Sequence, residues 1–426
     1  MTLPEFLTAS PVNFLAIRRV AQQLEAHGYR RLDAADSLGS LEAGSQVYFT
    51  KNDTSLFAFR IGTQPMAEAG VRLICAHSDS PTFRIKPSAE MVSAEGYIRL
   101  NTEVYGGPIL STWFDRPLSL AGRVILRGES PLAPLTRLLH IERPLLQIPN
   151  LAIHFNRQVN DGVKLSRQKD MLPLLGMVES ELERGGVLLN LIAEELQVAV
   201  ADILDFDLYL YDTTPACTFG LHQELISAGR LDDLSMVHAG LEGLIGSSTQ
   251  PATQALAIFD NEETGSQTKQ GAGSPFFSTL LQRLVLAQGG TLDDYYRAVE
   301  RSFMISADNA HAFHPSYAEK YDPTNHPSLG GGPVIKLNAA QKYATDASSA
   351  AVFAEVCRKA GVPCQYFVNH SDVAGGSTLG NILAGSLPVR GVDMGAPVLA
   401  MHSCRETASM RDHEMCIRAF TTFYGE

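Results

Sequence analysis

Two short runs constrain the fold of this chain more than any other feature. VRLICA at 71–76 and ALAIF at 255–259 are apolar at nearly every position rather than at every second one. A strand with one wet face alternates, whereas a strand covered on both faces reads as a continuous apolar run. Both runs stop at polar clusters, AHSDSP and FDNEETGS, and open α/β sheets place their sites beyond the carboxyl ends of their strands. CQYFVNH and PVLAMHS read as two further buried strands. Phe14, Ile17, Val20, Ala21 and Leu24 recur at helical spacing, which predicts an amphipathic helix from Asn13 to about His27 with Gly28 as its stop. SPFFSTLLQRLVLAQGG predicts a helix closed by Gly289, and Asp346 or Thr345 caps one that runs through AEVCRKAG to about Gly361. Strands alternating with helices predict an α/β fold with a mixed, largely parallel sheet.

Between about 88 and 225 the texture changes. YIRLNTEV, LAGRVILRG, LAIHF and ILDFDLYLYD read as strands with turn residues between them; in the last, Phe206, Leu208 and Leu210 oppose Asp205, Asp207 and Tyr209. A chain of 426 residues exceeds what one hydrophobic core usually serves. The expectation is a mainly β domain at 88–225 inserted into an α/β domain made of 1–87 and 226–426. The charged fraction of 19% and hydrophobic fraction of 45% are those of a soluble globular protein. A net charge of -12 without a lysine or arginine cluster argues against nucleic acid or an anionic membrane as partner. MTLPEFLTAS lacks the basic start of a signal peptide, and the six cysteines form no Cys-x-x-Cys pair. The expected location is the cytoplasm, with reduced thiols.

Chemistry concentrates in AHSDSP, RLDDL, FDNEETGS, SADNAHAFHP and MHSCRE. Their imidazoles and carboxylates form a mixture that suits zinc, or less strongly manganese or cobalt. The adjacent Glu262 and Glu263 are the most informative pair. A metal-assisted hydrolase needs one carboxylate to bind metal and another to move protons from the activated water.

Taken in order, YGGPILSTWFDRPLSLAGRV, LAIHFNRQVN, LDDLSMV, DNEETGS, SADNAHAFHP, GPVIKLNAAQKYATD, GGSTLG and MHSCRE give the chain its likeness. It resembles, over nearly its whole length, the aspartyl aminopeptidase family of dinuclear zinc exopeptidases, in a bacterial form. The resemblance implies a zinc-exopeptidase-like α/β/α catalytic domain, with the inserted β domain serving dimerisation and assembly. It implies two divalent metal ions per subunit, zinc first, with manganese or cobalt as alternatives. His77, Glu263, Asp308 and His402 match terminal ligands and Asp232 the bridging carboxylate. Relatives often carry Asn where this chain has Asp233, which leaves Asp233 as a competing ligand. Glu262 matches the general base, and Asp79 would fix the tautomer of His77.

Two divalent ions set against three ligand carboxylates, a bridging hydroxide and the base leave such a centre slightly negative. An acidic substrate side chain then needs a cation, and Lys336, preceded by the apolar PVI, is the candidate. His154 matches a histidine that reaches a neighbouring subunit's site. His314 matches a group at the substrate carbonyl or backbone, and Gly376 and Ser377, between Gly375 and Thr378, match the substrate-side loop. The implied activity is removal of N-terminal Asp or Glu from peptides with a free amine, in a homododecamer built from dimers. The rival readings are an N-acyl amino acid deacylase acting on blocked substrates and a non-catalytic assembly protein.

Overall fold

In the computed structural model, which describes residues 1–177 and 186–426, the continuous apolar runs become the centre of a nine-stranded mixed sheet. Its strands are β1 (Arg30–Arg31), β2 (Gln46–Lys51), β3 (Ser55–Arg60), β4 (Val71–His77), β5 (Thr253–Phe259), β6 (Phe303–Ala307), β7 (Val334–Leu337), β8 (Gln365–Val368) and β9 (Arg390–Gly395). The spatial order is β1-β2-β3-β5-β4-β6-β9-β7-β8. The central β5, β4, β6 and β9 run parallel, and antiparallel pairs flank them at β3–β5 and β9–β7. Every residue of β5 is buried, as a strand covered on both faces must be.

Helices supply those covers. They are α1 (Leu3–Ala9), α2 (Asn13–Ala26), α3 (Leu231–Gly246), α4 (Phe276–Ala287), α5 (Leu292–Arg301), α6 (Ala347–Ala360), α7 (Leu379–Ser386) and α8 (Met410–Tyr424). Because side chains alternate along a strand, Ile74, Ala76, Leu256 and Ile258 pack into one core with α1, α2, α3, α6 and α8. Leu73, Cys75, Ala255 and Ala257 pack into the other with α4, α5 and α7. The result is an α/β/α layering. Asp346 caps α6 by accepting the Ser349 amide at 2.7 Å, and Gly361 ends that helix in the left-handed region at φ 65.

The chain divides into two compact units. Met1–Asp79, Ala216–Met401 and Glu406–Glu426 make the α/β/α unit, and Ser80–Pro215 with His402–Arg405 make the other. The second unit holds a six-stranded antiparallel sheet in the order Ala133–His140, Leu118–Ser130, Ile203–Asp212, Thr82–Val92, Tyr97–Tyr105 and Leu174–Met177. Phe206, Leu208 and Leu210 are buried on one of its faces, in keeping with the period of two.

LAIHF corrects the strand reading. It forms turns, with the Phe155 amide bonded to the Ala152 carbonyl at 2.9 Å and the Asn156 amide to that of Ile153 at 3.1 Å. Those local bonds replace a ladder, and Asp115 pins the entry by accepting from both the backbone and side-chain nitrogens of Asn150. Phe155 is left 81% exposed, so the apolar alternation of this stretch does not pack into the subunit's own core.

Candidate metal centre

Register builds the site. β4 and β5 are parallel with His77 opposite Phe259, and β6 lies parallel to β4 with Ser306 opposite Cys75. Three strands therefore end at one level, and the residues at or just beyond their ends, His77 to Asp79, Asp260 to Glu263 and Asp308, meet at the same edge. The start of α3 brings Asp232 and Asp233 there, joined by a cis peptide bond.

His77 is buried. Its Nδ1 lies 3.0 Å from the Asp79 carbonyl oxygen and 3.4 Å from the Asp79 carboxylate. With Nδ1–H committed to Asp79, the opposite nitrogen, Nε2, faces Asp232 Oδ1 at 3.5 Å. The backbone amide of His77 donates to Asp233 at 3.1 Å. Asp79 has a further task, since its two carboxylate oxygens accept the amides of Glu262 and Glu263, each at 3.1 Å. His77, Asp232, Asp233 and Asp308 each offer one ligand atom, all within 4.8 Å of one another, and His77, Glu262 and Glu263 do the same.

So many acids in one buried place cannot all ionise against each other. Burial raises Asp233 well above the carboxylate range and raises Asp308 as well. Burial also lifts Glu262 to about 8; Asp308, Asp79 and Asp232 add to this while His77 opposes it. Burial would lower His77, but the carboxylates of Asp232, Asp233 and Asp79 outweigh it and hold the imidazole well above its ordinary value. Asp233 Oδ1 is buried without a hydrogen-bond donor among the described residues. A divalent cation resolves this crowding, and one imidazole nitrogen with several carboxylate oxygens is a donor set that zinc, manganese or cobalt accepts.

The remaining residues singled out by the sequence lie as follows. Lys336 is buried, its ammonium 3.4 Å from Asp308 Oδ1, 3.1 Å from the Asn309 carbonyl and 5.5 Å from the centre of the Tyr343 ring. Burial opposes its charge, yet Asp308, Tyr343, Asp393 and Asp232 together outweigh burial and raise its pKa. His314 Nδ1 accepts the Ser316 amide at 3.2 Å. Gly376 and Ser377 are exposed, ahead of buried Thr378 at the start of α7. In the second unit, His154 is exposed in the turns after Asn150. His402, at φ 67, places Nδ1 3.1 Å from the Gly107 carbonyl.

Four supporting residues escaped the sequence reading. Glu406, the last residue of MHSCRE, is buried and accepts the Asp232 amide at 3.1 Å. Asp260, inside FDNEETGS, is buried and accepts from the Asn13 side chain at 3.0 Å. Asp393 is fully buried between two loops at this edge. A buried acid in a polar cluster was the available signal for Glu406 and Asp260, but nothing local marks Asn13 or Asp393.

An imidazole and carboxylate cluster at the carboxyl edge of an α/β/α sheet, with a further glutamate beside it, marks a metal-dependent hydrolase. The sequence profile of the family described as aminopeptidase I zinc metalloprotease (M18) matches residues 6–424. A probable M18 family aminopeptidase 2 of Clostridium acetobutylicum is 50% identical over 423 residues, covering 99% of this chain and 98% of its own. One of Ectopseudomonas mendocina is 44% identical over 425 residues, covering 99% and 97%. Among solved structures, a chain of the cryo-EM structure of the Ape4 and Nbr1 complex superposes with TM-score 0.95 at 35% identity, over 99% of this chain and 84% of that one. A chain of the S. cerevisiae mApe1 dodecamer gives TM-score 0.86 at 26% identity, over 99% and 95%. The chain belongs to the M18 family and is a metal-dependent aminopeptidase.

Proposed function

We propose that the enzyme removes acidic residues from the free N-termini of peptides, with two divalent ions, zinc first, held by His77, Asp232, Glu263, Asp308 and His402. The crowding of buried carboxylates around a single histidine, His77, is the observation that supports a multivalent cationic centre best. The ions when bound would polarise the scissile carbonyl and lower the pKa of water. Glu262 takes the proton from the water and passes it to the leaving amine, and a divalent ion beside it would favour the ionised carboxylate that this role needs. Asp79 orients both His77 and the Glu262–Glu263 turn. His402 enters the set through the family resemblance.

An acidic preference follows from charge. The site is rich in carboxylates, so an acidic side chain is accepted only beside a cation, and Lys336 is a buried cation at this edge. Two of its three N–H groups suffice for Asp308 and Asn309, which leaves one for a substrate carboxylate. His314 and the Gly376–Ser377 backbone would hold the peptide. His154 would serve a neighbouring subunit, because the neighbour mApe1 is a dodecamer and this histidine stands exposed. The assembly we infer is a homododecamer built from dimers through the 88–225 region, in the cytoplasm.

The test compares a free-amine Asp peptide, its Leu counterpart and an N-acetylated Asp peptide. Preferential cleavage of free Asp supports the reading. Preference for Leu removes the acidic specificity, and cleavage of the acetylated form alone returns the deacylase reading.

A further inference from the structure

Asp393 lies on β9 opposite Ser306 of β6, is fully buried, and contacts neither His77 nor Glu262 among the described hydrogen bonds. Its partners instead come from two separate loops. One carboxylate oxygen accepts the Thr378 hydroxyl at 2.6 Å, and the other accepts the Ala344 amide at 2.6 Å. Its own amide donates to the Thr345 hydroxyl at 2.8 Å. Thr378 is the residue at which α7 begins, and Thr345 immediately precedes the Asp346 cap of α6. The residues that lead into two helices thus converge on one buried carboxylate.

The packing there admits little movement. A Cβ on Gly380, in the first turn of α7, would lie 2.7 Å from Asp393 Oδ1 and 2.6 Å from Ser306 Oγ, so that helix sits directly on the carboxylate. A second tie joins the same two loops nearer solvent, where the Lys342 ammonium donates to the Gly375 carbonyl at 2.5 Å. The first loop carries Tyr343, whose ring faces Lys336, and the second carries Gly376 and Ser377.

We propose that Asp393 is a positioning residue that locks the 338–346 and 375–378 segments into one register, so that Lys336 with Tyr343 and the Gly375–Thr378 backbone meet a substrate as a single preformed surface. The inference rests on the reading above, in which these two segments face the substrate. Among the described residues Asp393 makes no hydrogen bond to a proposed metal ligand. Its loss therefore acts on substrate capture and leaves the chemical step and metal uptake in place.

The experiment uses the full-length protein loaded with zinc and the variants Asp393→Ala, Asp393→Asn, Thr378→Val and Thr378→Ser. KM and kcat are measured on the peptide that the wild type cleaves best, together with bound metal and amide exchange across both segments. For Asp393→Ala the expected result is a KM raised about tenfold or more with kcat held within about threefold. Metal content stays unchanged, and exchange is faster in 338–346 and 375–378 together. Asp393→Asn and Thr378→Ser recover most of the effect, since each keeps a hydrogen bond. Thr378→Val, which removes one bond without opening a cavity, shows the same signature more weakly and serves if the alanine variant does not fold. Reduced thermal stability with unchanged KM, or faster exchange in only one segment, overturns the proposal. A wild type that prefers Leu to Asp peptides sinks the acidic reading alone, because the exchange and KM pattern still decides the role of Asp393.

Discussion

Asp79 accepts the backbone amide of Glu262 at 3.1 Å while its own carbonyl oxygen lies 3.0 Å from His77 Nδ1. One residue therefore orients a proposed ligand and the turn that bears the proposed base. Its second carboxylate oxygen is occupied by the Glu263 amide. In Asp79→Asn one of these amides meets an NH2 group instead of an acceptor. The expected outcome is kcat lower by about 100-fold and zinc affinity lower by about 10–100-fold, measured by steady-state kinetics and competition with a chelating dye. Wild-type values for both would remove Asp79 from the site.

Asn13 reaches the site from 247 residues away in sequence, donating to Asp260 at 3.0 Å from the first turn of α2. Asp260 also accepts the Asn261 amide at 2.8 Å, and that turn continues into Glu262. Asn13→Ala leaves a buried carboxylate short of a donor, which costs about 1–3 kcal/mol in a denaturant melt. Lower kcat at unchanged metal content is the accompanying expectation. Loss of stability with full kcat would make the contact structural only.

His238 and His413 face each other at 2.9 Å, with His238 Nε2 at 2.9 Å from the Met1 carbonyl and 3.7 Å from Glu242. Burial holds both imidazoles below their ordinary range, His413 well below it. The unfolded chain therefore binds protons first, so stability is full above about pH 6.5 and is lost as the pH falls below it. Burial raises neighbouring Asp412 to about 6, which acts with the opposite sign. The difference between His413→Gln and wild type isolates the histidine. Urea midpoints between about pH 7 and pH 5 should fall less steeply in the variant, and an equal slope would contradict this assignment.

Lys336→Met tests the cation directly. Losing a charge-assisted hydrogen bond to an acidic side chain costs about 10–100-fold in kcat/KM on the Asp peptide relative to the Leu peptide. Asp308 loses its partner in the same variant, so an equal fall on both peptides would assign Lys336 to Asp308 and not to substrate.

The parts of this fold that were legible in the sequence are those governed by local pattern. The apolar runs of β4 and β5 had to be covered on both faces, and the periodic apolar face of α2 had to be helical, so both appear where the pattern puts them. LAIHF failed because alternation records apolar content and not a ladder partner; here turn bonds and Asp115 won. At the site, the polar clusters after the strands marked His77, Asp79, Glu262, Glu263 and Asp308. The bonds that Asn13 and Asp393 make depend on register between distant segments, and no short stretch of sequence encodes register across the sheet.

The most direct test of the central claim, that the cluster around His77 is the metal centre of an aminopeptidase, is a zinc titration of the chelated protein. Bound metal and turnover of a free-amine Asp peptide are followed together, with Glu262→Gln and His77→Ala beside the wild type. The expected result is turnover that rises with zinc to two ions per chain, equal uptake without turnover in Glu262→Gln, and impaired uptake in His77→Ala. Full turnover by the metal-free protein, or normal uptake and activity in His77→Ala, would contradict it.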